Sequence, residues 1–252
     1  MSEAVIEFRD VCNCLANGRE ILRNLNLDVS RGEVLVLLGR SGSGKTTALK
    51  LVNRLLETSS GELRVEGRQV RSWNPIELRR HIGYAIQEVG LFPHYTVERN
   101  IGLVPSIENW PKEKIRTRVL ELLKLVGLPS DIISRYPHEL SGGQRQRVGV
   151  ARALGADPPI LLMDEPFGAL DPLTRADLQR EFLTLQRELR KTVVFVTHDL
   201  HEALFLGTRI ALLDEGRLVS INPRDGFLSS SDPLVMKYVE AFSGLDHIRG
   251  LK

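Results

Sequence analysis

Residues 34–47, VLVLLGRSGSGKTT, restrict what this chain can fold into more than any other stretch. Five apolar residues, Val34–Leu38, run into Gly39, and Gly39-Arg40-Ser41-Gly42-Ser43-Gly44-Lys45-Thr46 fits the pattern G-x-x-x-x-G-K-[ST]. The pattern describes a buried strand that ends in a glycine-rich turn with inward-pointing backbone N–H groups. A helix then starts with its positive dipole end facing the same spot. Gly42 and Gly44 can take backbone angles closed to other residues, so the chain can wrap a phosphate closely. Lys45 reaches the β- and γ-phosphates, the Thr46 hydroxyl becomes a ligand for Mg²⁺, and Thr47 follows in the same helix start. Chance produces this pattern in a chain of this length roughly once in a hundred cases. The alternative, a Gly/Ser surface loop, conflicts with the apolar strand before it and the helical spacing of TTALKLVNRLL after it. The stretch predicts a nucleoside triphosphate site.

The rest of the composition narrows the setting. The 252 residues allow one large α/β domain or two small ones. A net charge of +2 gives no reason to expect nucleic acid as a partner. No apolar run approaches the roughly 18 residues that span a bilayer, and MSEAVIEFRD lacks the apolar core of a signal peptide. A membrane role is therefore expected to come through a partner subunit. Cys12 and Cys14 form a C-x-C with no second ligand pair, which reads as two reduced thiols rather than a metal site or disulfide.

Along the chain, Val5–Phe8 is a short apolar run, and Leu25, Leu27 and Val29 alternate with polar residues as in a half-buried strand. ELRVEG, after the turn at Ser59-Ser60-Gly61, is a further alternating strand, and such strands suit an antiparallel sheet beside the nucleotide. His81–Ala85 predicts a strand with Gln87 at its end, and EVGLFPHYTV then offers Leu91, Phe92 and Tyr95 as a docking surface. Ile115, Val119, Leu122, Leu123 and Val126 have the spacing of an amphipathic packing helix. Ser141-Gly142-Gly143-Gln144 opens another helix. It is either a plain N-cap or a second anion-binding helix start.

Residues 160–166, Ile-Leu-Leu-Met-Asp-Glu-Pro, read as a buried strand ending in two acids. Ligands of open parallel sheets bind beyond the carboxyl ends of the strands. Asp164 can orient hydrated Mg²⁺ there, and Glu165 can polarise an attacking water. Gly168-Ala-Leu-Asp171 follows, then a helix with Leu178, Phe182, Leu185 and Leu189 on one face. Thr192–Val196 is another buried strand and ends in Thr197-His198-Asp199. A lone histidine is more often structural, but this one lies at the ligand-binding edge of the sheet, which favours function. Arg209–Leu213 and Arg217–Val219 predict a closing hairpin, and a helix starts near Pro233.

Five elements in this order, GRSGSGKTT, Gln87, LSGGQ at 140–144, LLMDEP with GALD, and VTHD, resemble the ATP-binding cassette (ABC) family of transport ATPases over roughly residues 5–242. The resemblance implies an α/β P-loop NTPase with a RecA-like core sheet, an antiparallel β subdomain and an inserted α-helical signature subdomain at about 92–155. One cassette would occupy 1–242 and a polar tail 243–252. It further implies ATP and Mg²⁺, and a head-to-tail pair of subunits in which each ATP lies between one phosphate loop and the other chain's Ser141-Gly142-Gly143-Gln144. Glu165 matches the general base and His198 the γ-phosphate sensor. Asp164 and Gln87 match residues around Mg²⁺ and the attacking water, and Asp171 a contact across the dimer. A membrane permease would dock near Leu91–Tyr95, holding the subunit at the cytoplasmic face of the inner or plasma membrane, with an extracytoplasmic binding protein completing the system.

NRLLETSSGELRVEG and IGYAIQEVGLFPHYTVERNI are similar, more narrowly, to importers of glycine betaine, choline or carnitine. Many of those ATPases add a pair of CBS regulatory domains, and none is expected within 252 residues. The sequence departs from the family where an aromatic residue usually stacks on adenine. Leu15 stands there, or Ala16 or Asn17 by a second count, so an apolar contact from Leu15 or Ile21 is expected instead. The alternatives are an importer of another small solute such as an amino acid or anion, and an exporter ATPase. A mechanical ATPase of DNA repair would need a coiled coil for which residues 88–140 leave no space, and a translation-type protein would carry two cassettes.

Overall fold

The structure is a computed structural model and describes residues 3–87, 90–168 and 170–249, with the side chains at 185, 187–189 and 242–249 outside that description. It divides into two compact units, Met1–Trp73 with Val194–Lys252, and Asn74–Val193.

In the first unit, β1 (Ala4–Cys14) and β2 (Glu20–Ser30) pair antiparallel, and β3 (Val34–Leu38) leads into α1 (Lys45–Val52). The strands β4 (Ser60–Val65) and β5 (Arg68–Gln69) complete a four-stranded antiparallel sheet in the order β2-β1-β4-β5. Its inward residues, among them Ile6, Phe8, Leu25, Leu27, Leu63 and Val65, are buried, as the alternating pattern requires. β1 runs well past Phe8, where the apolar run ends. Its register slips between Phe8 and Val11, and Asp10 there takes φ of 49°. This bulge lets polar Arg9-Asp10 interrupt the apolar run without ending the strand.

The second unit opens with α2 (Pro75–His81) and β6 (Ile82–Ala85). The sequence reading starts the strand at His81, but the structure gives that residue to the helix. Asn74 caps α2, its Oδ1 accepting from the N–H of Ile76 at 2.9 Å and of Glu77 at 3.4 Å, with Pro75 at the first helical position. Short helices α3 (Val97–Ile101) and α4 (Leu103–Ile107) precede α5 (Lys112–Leu125), which buries Val119, Leu122 and Leu123. Then come α6 (Gly142–Ala153), β7 (Ile160–Asp164), wholly buried, and α7 (Pro172–Leu189). α7 buries Leu178 and Phe182, while the expected Leu185 and Leu189 side chains lie outside the described residues. β6 and β7 are parallel, with Tyr84 opposite Leu162.

The chain re-enters the first unit within β8 (Thr192–Thr197) and continues through α8 (Leu200–Leu206), β9 (Arg209–Asp214) and β10 (Arg217–Pro223). β9 runs parallel to β3 and turns back antiparallel into β10, the expected hairpin. Two helices, α9 (Arg224–Phe227) and α10 (Pro233–Arg249), close the description.

Candidate functional site

The phosphate loop is held closed by its own unit. A Cβ at Gly39 would lie 2.2 Å from the Leu213 carbonyl oxygen, and one at Gly44, where φ is 101°, would lie 2.6 Å from Leu22 Cδ2. Glycine is thus demanded at Gly39 by close approach of backbone, and at Gly44 by conformation, since a leucine tip there can shift. The turn between β9 and β10 clamps the loop from behind. Gly216 N–H donates to the Ser43 carbonyl at 3.2 Å, and its own carbonyl accepts from Arg23 N–H at 2.8 Å. α1 starts at Lys45 with Gly44 as N-cap and no side-chain cap, which leaves the positive helix end open to an anion. Lys45 is 5% exposed, and its Nζ donates to the carbonyls of Gly39 and Arg40, both at 2.7 Å. A buried ammonium folded onto its own loop suits an incoming phosphate that takes over those hydrogen bonds. Arg40, Ser41 and Gly42 are exposed, Ser43 is buried, and Thr46 and Thr47 are half-buried.

Leu15 lies in the exposed turn between β1 and β2, closed by Leu15 N–H to the Arg19 carbonyl at 2.9 Å. Ile21 and Leu22 of the same hairpin abut Gly44. His198 is exposed at the end of β8. Its neighbour Asp199 caps α8, with Oδ1 accepting from His201 and Glu202 N–H.

In the second unit the two acids at the end of β7 differ sharply. Asp164 is 3% exposed, with the Tyr84 hydroxyl 3.5 Å from its Oδ2. Burial first, and then the Asp164 carboxylate, push the Tyr84 proton well above the usual tyrosine range. Glu165 is half-buried, takes φ of 45°, and accepts from Gln87 Nε2 at 3.4 Å. A left-handed backbone at a residue without a glycine's freedom is strain of the kind that collects at functional sites. Among the described residues no cluster of three or more His, Cys, Asp or Glu could hold a metal ion. One buried carboxylate still fits Mg²⁺, which keeps waters and leans on substrate phosphates for its remaining ligands.

Ser141 and Gln144 form a reciprocal capping box on α6. Ser141 Oγ accepts from Gln144 N–H at 3.2 Å, and Gln144 Oε1 accepts from Ser141 N–H at 2.9 Å. Gly142 is exposed and Gly143 half-exposed in that first turn. Asp171 caps α7 by accepting from Thr174 N–H at 3.0 Å, and hydrogen bonds from Thr174 hold its carboxyl below the usual range.

Sequence reasoning missed two residues. Tyr84 is one. The other is Asn100, fully buried, whose Oδ1 accepts from Phe92 N–H at 2.8 Å. Its Nδ2 donates to the carbonyls of Phe92, Tyr95 and Thr96 at 3.0–3.2 Å. It shapes the loop on which Phe92, His94 and Tyr95 cluster, with the Phe92 and Tyr95 ring centres 5.3 Å apart. An asparagine flanked by apolar Val97 and Ile101 was the available signal. Beside the cluster lies a groove of about 350 Å³ lined by Arg79, Arg80, Phe92, Leu103 and Arg152 among others.

A family model described as ABC transporter matches residues 22–168. The chain is 48% identical over 244 residues to the glycine betaine/carnitine/choline transport ATP-binding protein OpuCA of Bacillus subtilis (strain 168). The match covers 97% of this chain and 63% of that protein, so the chain spans less than two thirds of that relative. It is 53% identical over 215 residues to the glycine betaine uptake system ATP-binding protein YehX of Escherichia coli (strain K12), covering 85% of this chain and 70% of the relative. Among solved structures, the dimeric post-hydrolysis state of the ATP-binding cassette MJ0796 bound to ADP and Pi superposes with a TM-score of 0.81. It is 34% identical and covers 87% of this chain and 98% of that one. The structure of cbiO1 from Clostridium perfringens gives a TM-score of 0.83 at 25% identity over 99% of this chain and 100% of that one. The α/β fold is that of these cassettes, with the antiparallel sheet and the inserted helices that the sequence predicts.

Proposed function

Since this chain belongs to the ABC transporter family, we propose that it is the ATP-binding and ATP-hydrolysing subunit of an importer of quaternary-amine osmoprotectants. The observation that carries the hydrolytic reading is the Gln87–Glu165 pair at the carboxyl end of β7, 3.4 Å apart. It joins a half-buried carboxylate, able to take a proton from water, to an amide that orients it. Residues Gly39–Thr47 wrap the phosphates, with Lys45 neutralising charge. Thr46, Asp164 and Gln87 are the residues that would hold Mg²⁺, which would supply charge neutralisation. His198 contacts the γ-phosphate, and Leu15 the base. Ser141–Gln144 and Asp171 act across a head-to-tail pair with a second copy. The substrate class rests on the names of OpuCA and YehX.

The partners are a membrane permease, received at the aromatic cluster and groove around Phe92, and an extracytoplasmic binding protein. The subunit then sits at the cytoplasmic membrane face, and residues 92–155 serve as its signature subdomain within one cassette spanning 1–242. Glu165→Gln keeps the shape but loses the base, so ATP hydrolysis should fall at least a hundredfold while ATP binding persists and a dimer accumulates in size-exclusion chromatography. Intact turnover by this variant removes Glu165 from the role. Uptake of radiolabelled glycine betaine by vesicles carrying the subunit with its permease and binding protein tests the substrate. Uptake of amino acids alone refutes that assignment.

A further inference from the structure

We propose that Tyr84 is a positioning residue that fixes the rotation of the Asp164 carboxylate, and through it the grip on Mg²⁺. The inference rests on reading Asp164 as a residue at the Mg²⁺ position. A carboxylate turns easily about its last bond, because that torsion has a broad, two-fold profile. Asp164 closes β7, all five residues of which are buried, so neighbouring protein groups bear on its orientation. The sheet itself brings a donor. Tyr84 on β6 pairs with Leu162 on the parallel β7, and Asp164 lies two residues further on, so both side chains leave the same face. Their separation along the strand suits the length of a phenol. The hydroxyl reaches to 3.5 Å from Asp164 Oδ2. That is long beside the roughly 2.5–2.7 Å of a charge-assisted O–H···O⁻ bond, so the effect belongs at the low end of what such outer partners do. Loss of a residue that orients a ligand typically weakens metal binding about 10- to 100-fold.

The competing view makes Tyr84 a half-buried filler whose ring alone matters. Tyr84→Phe separates the two, since it keeps the ring and removes only the donor. The assay is equilibrium binding of a fluorescent ATP analogue to the full chain, across a Mg²⁺ titration and in EDTA. The Mg²⁺ concentration at half-maximal enhancement should rise about tenfold in Tyr84→Phe, with binding in EDTA unchanged. An unmoved Mg²⁺ midpoint overturns the proposal, and so does an equal loss of affinity with and without Mg²⁺. In the Asp164→Asn background, adding Tyr84→Phe should shift the midpoint no further, and additive shifts also overturn it. Should Asp164→Asn alone leave the Mg²⁺ dependence intact, the reading of Asp164 itself has failed, an outcome distinct from a failure of Tyr84.

Discussion

Asn100→Ala is the most exacting test of how the aromatic loop is built. The side chain makes four polar contacts, but its amide has only two protons for the carbonyls of Phe92, Tyr95 and Thr96, so about three full hydrogen bonds are at stake. Two of those carbonyls keep other partners after truncation. Thr96 accepts from Asn100 N–H at 2.9 Å, and Phe92 from Tyr95 N–H at 3.1 Å. The Phe92 N–H loses its acceptor. Three bonds at about 1 kcal/mol each give a loss of about 3 kcal/mol, which the stranded N–H sustains even where water replaces part of it. That is about a hundredfold in a local opening equilibrium. Native-state hydrogen exchange reads it directly: the Phe92 amide should exchange about a hundredfold faster, while amides of β7 keep their protection. Asn100→Asp keeps the shape yet sets a carboxylate against three carbonyl oxygens, so at neutral pH it should loosen the loop at least as much. Exchange at Phe92 within threefold of the parent in Asn100→Ala would refute the idea that this one side chain organises the loop.

Two further outcomes follow from the site and its supports. Leu15→Tyr should tighten ATP binding by tenfold or less, since a base–aromatic stack is worth about 1–3 kcal/mol and leucine already supplies part of it. The parent should discriminate weakly between ATP and GTP. Nucleotide titrations giving a strong ATP preference and no gain from tyrosine would mean that another residue stacks on the base. Glu33 is raised above the usual glutamate range by burial, against the opposing pull of its hydrogen bond from Ser30 N–H and of Arg209 at 3.2 Å. A raised acid binds its proton more tightly in the folded state, so its charge costs stability above the folded pKa, and that cost fades as pH falls through it. Urea unfolding should therefore show Glu33→Gln gaining on the parent from pH 4 to pH 8, and a gap that shrinks with rising pH would contradict the assignment.

The fold was legible wherever burial is two-sided. Val34–Leu38, Ile160–Met163 and Val193–Val196 are continuous apolar runs, and each lies in a wholly buried strand. Glycine spacing located the phosphate loop because the Leu213 backbone crowds Gly39 and because Gly42 and Gly44 take left-handed φ of 81° and 101°. Local signals failed where a strand is kept by its partners rather than by its own pattern. β1 continues beyond Phe8 because Val11 and Asn13 still pair with β2 across the bulge. The seven-residue α2 is too short to show a period, though Asn74-Pro75 carried its start. Tyr84 and Asn100 escaped for another reason. Their partners are fixed by strand register and loop closure, Asp164 being 80 positions from Tyr84, and no local pattern encodes such a meeting.

The polar motif residues carry a second demand that sequence alone does not separate from the first. Ser141, Asp171 and Asp199, each in a stretch read as ligand-directed, are the N-caps of α6, α7 and α8. A helix start concentrates unsatisfied N–H groups, so the oxygen-bearing residues that suit a ligand site there also suit a cap. Ser141→Ala would thus remove a cap worth about 1 kcal/mol together with any contact to a phosphate, and a loss of activity could come from either. Threonine at the same position retains the capping oxygen and adds a methyl group facing solvent at an exposed site. A ligand packed closely against Ser141 resents that methyl, while a helix that needs only the cap tolerates it. The capping box is compatible with the proposed two-chain role of LSGGQ: Ser141 Oγ accepts from Gln144 N–H, and its own O–H remains a donor that a phosphate oxygen can accept from, so one side chain can cap the helix and meet a ligand together.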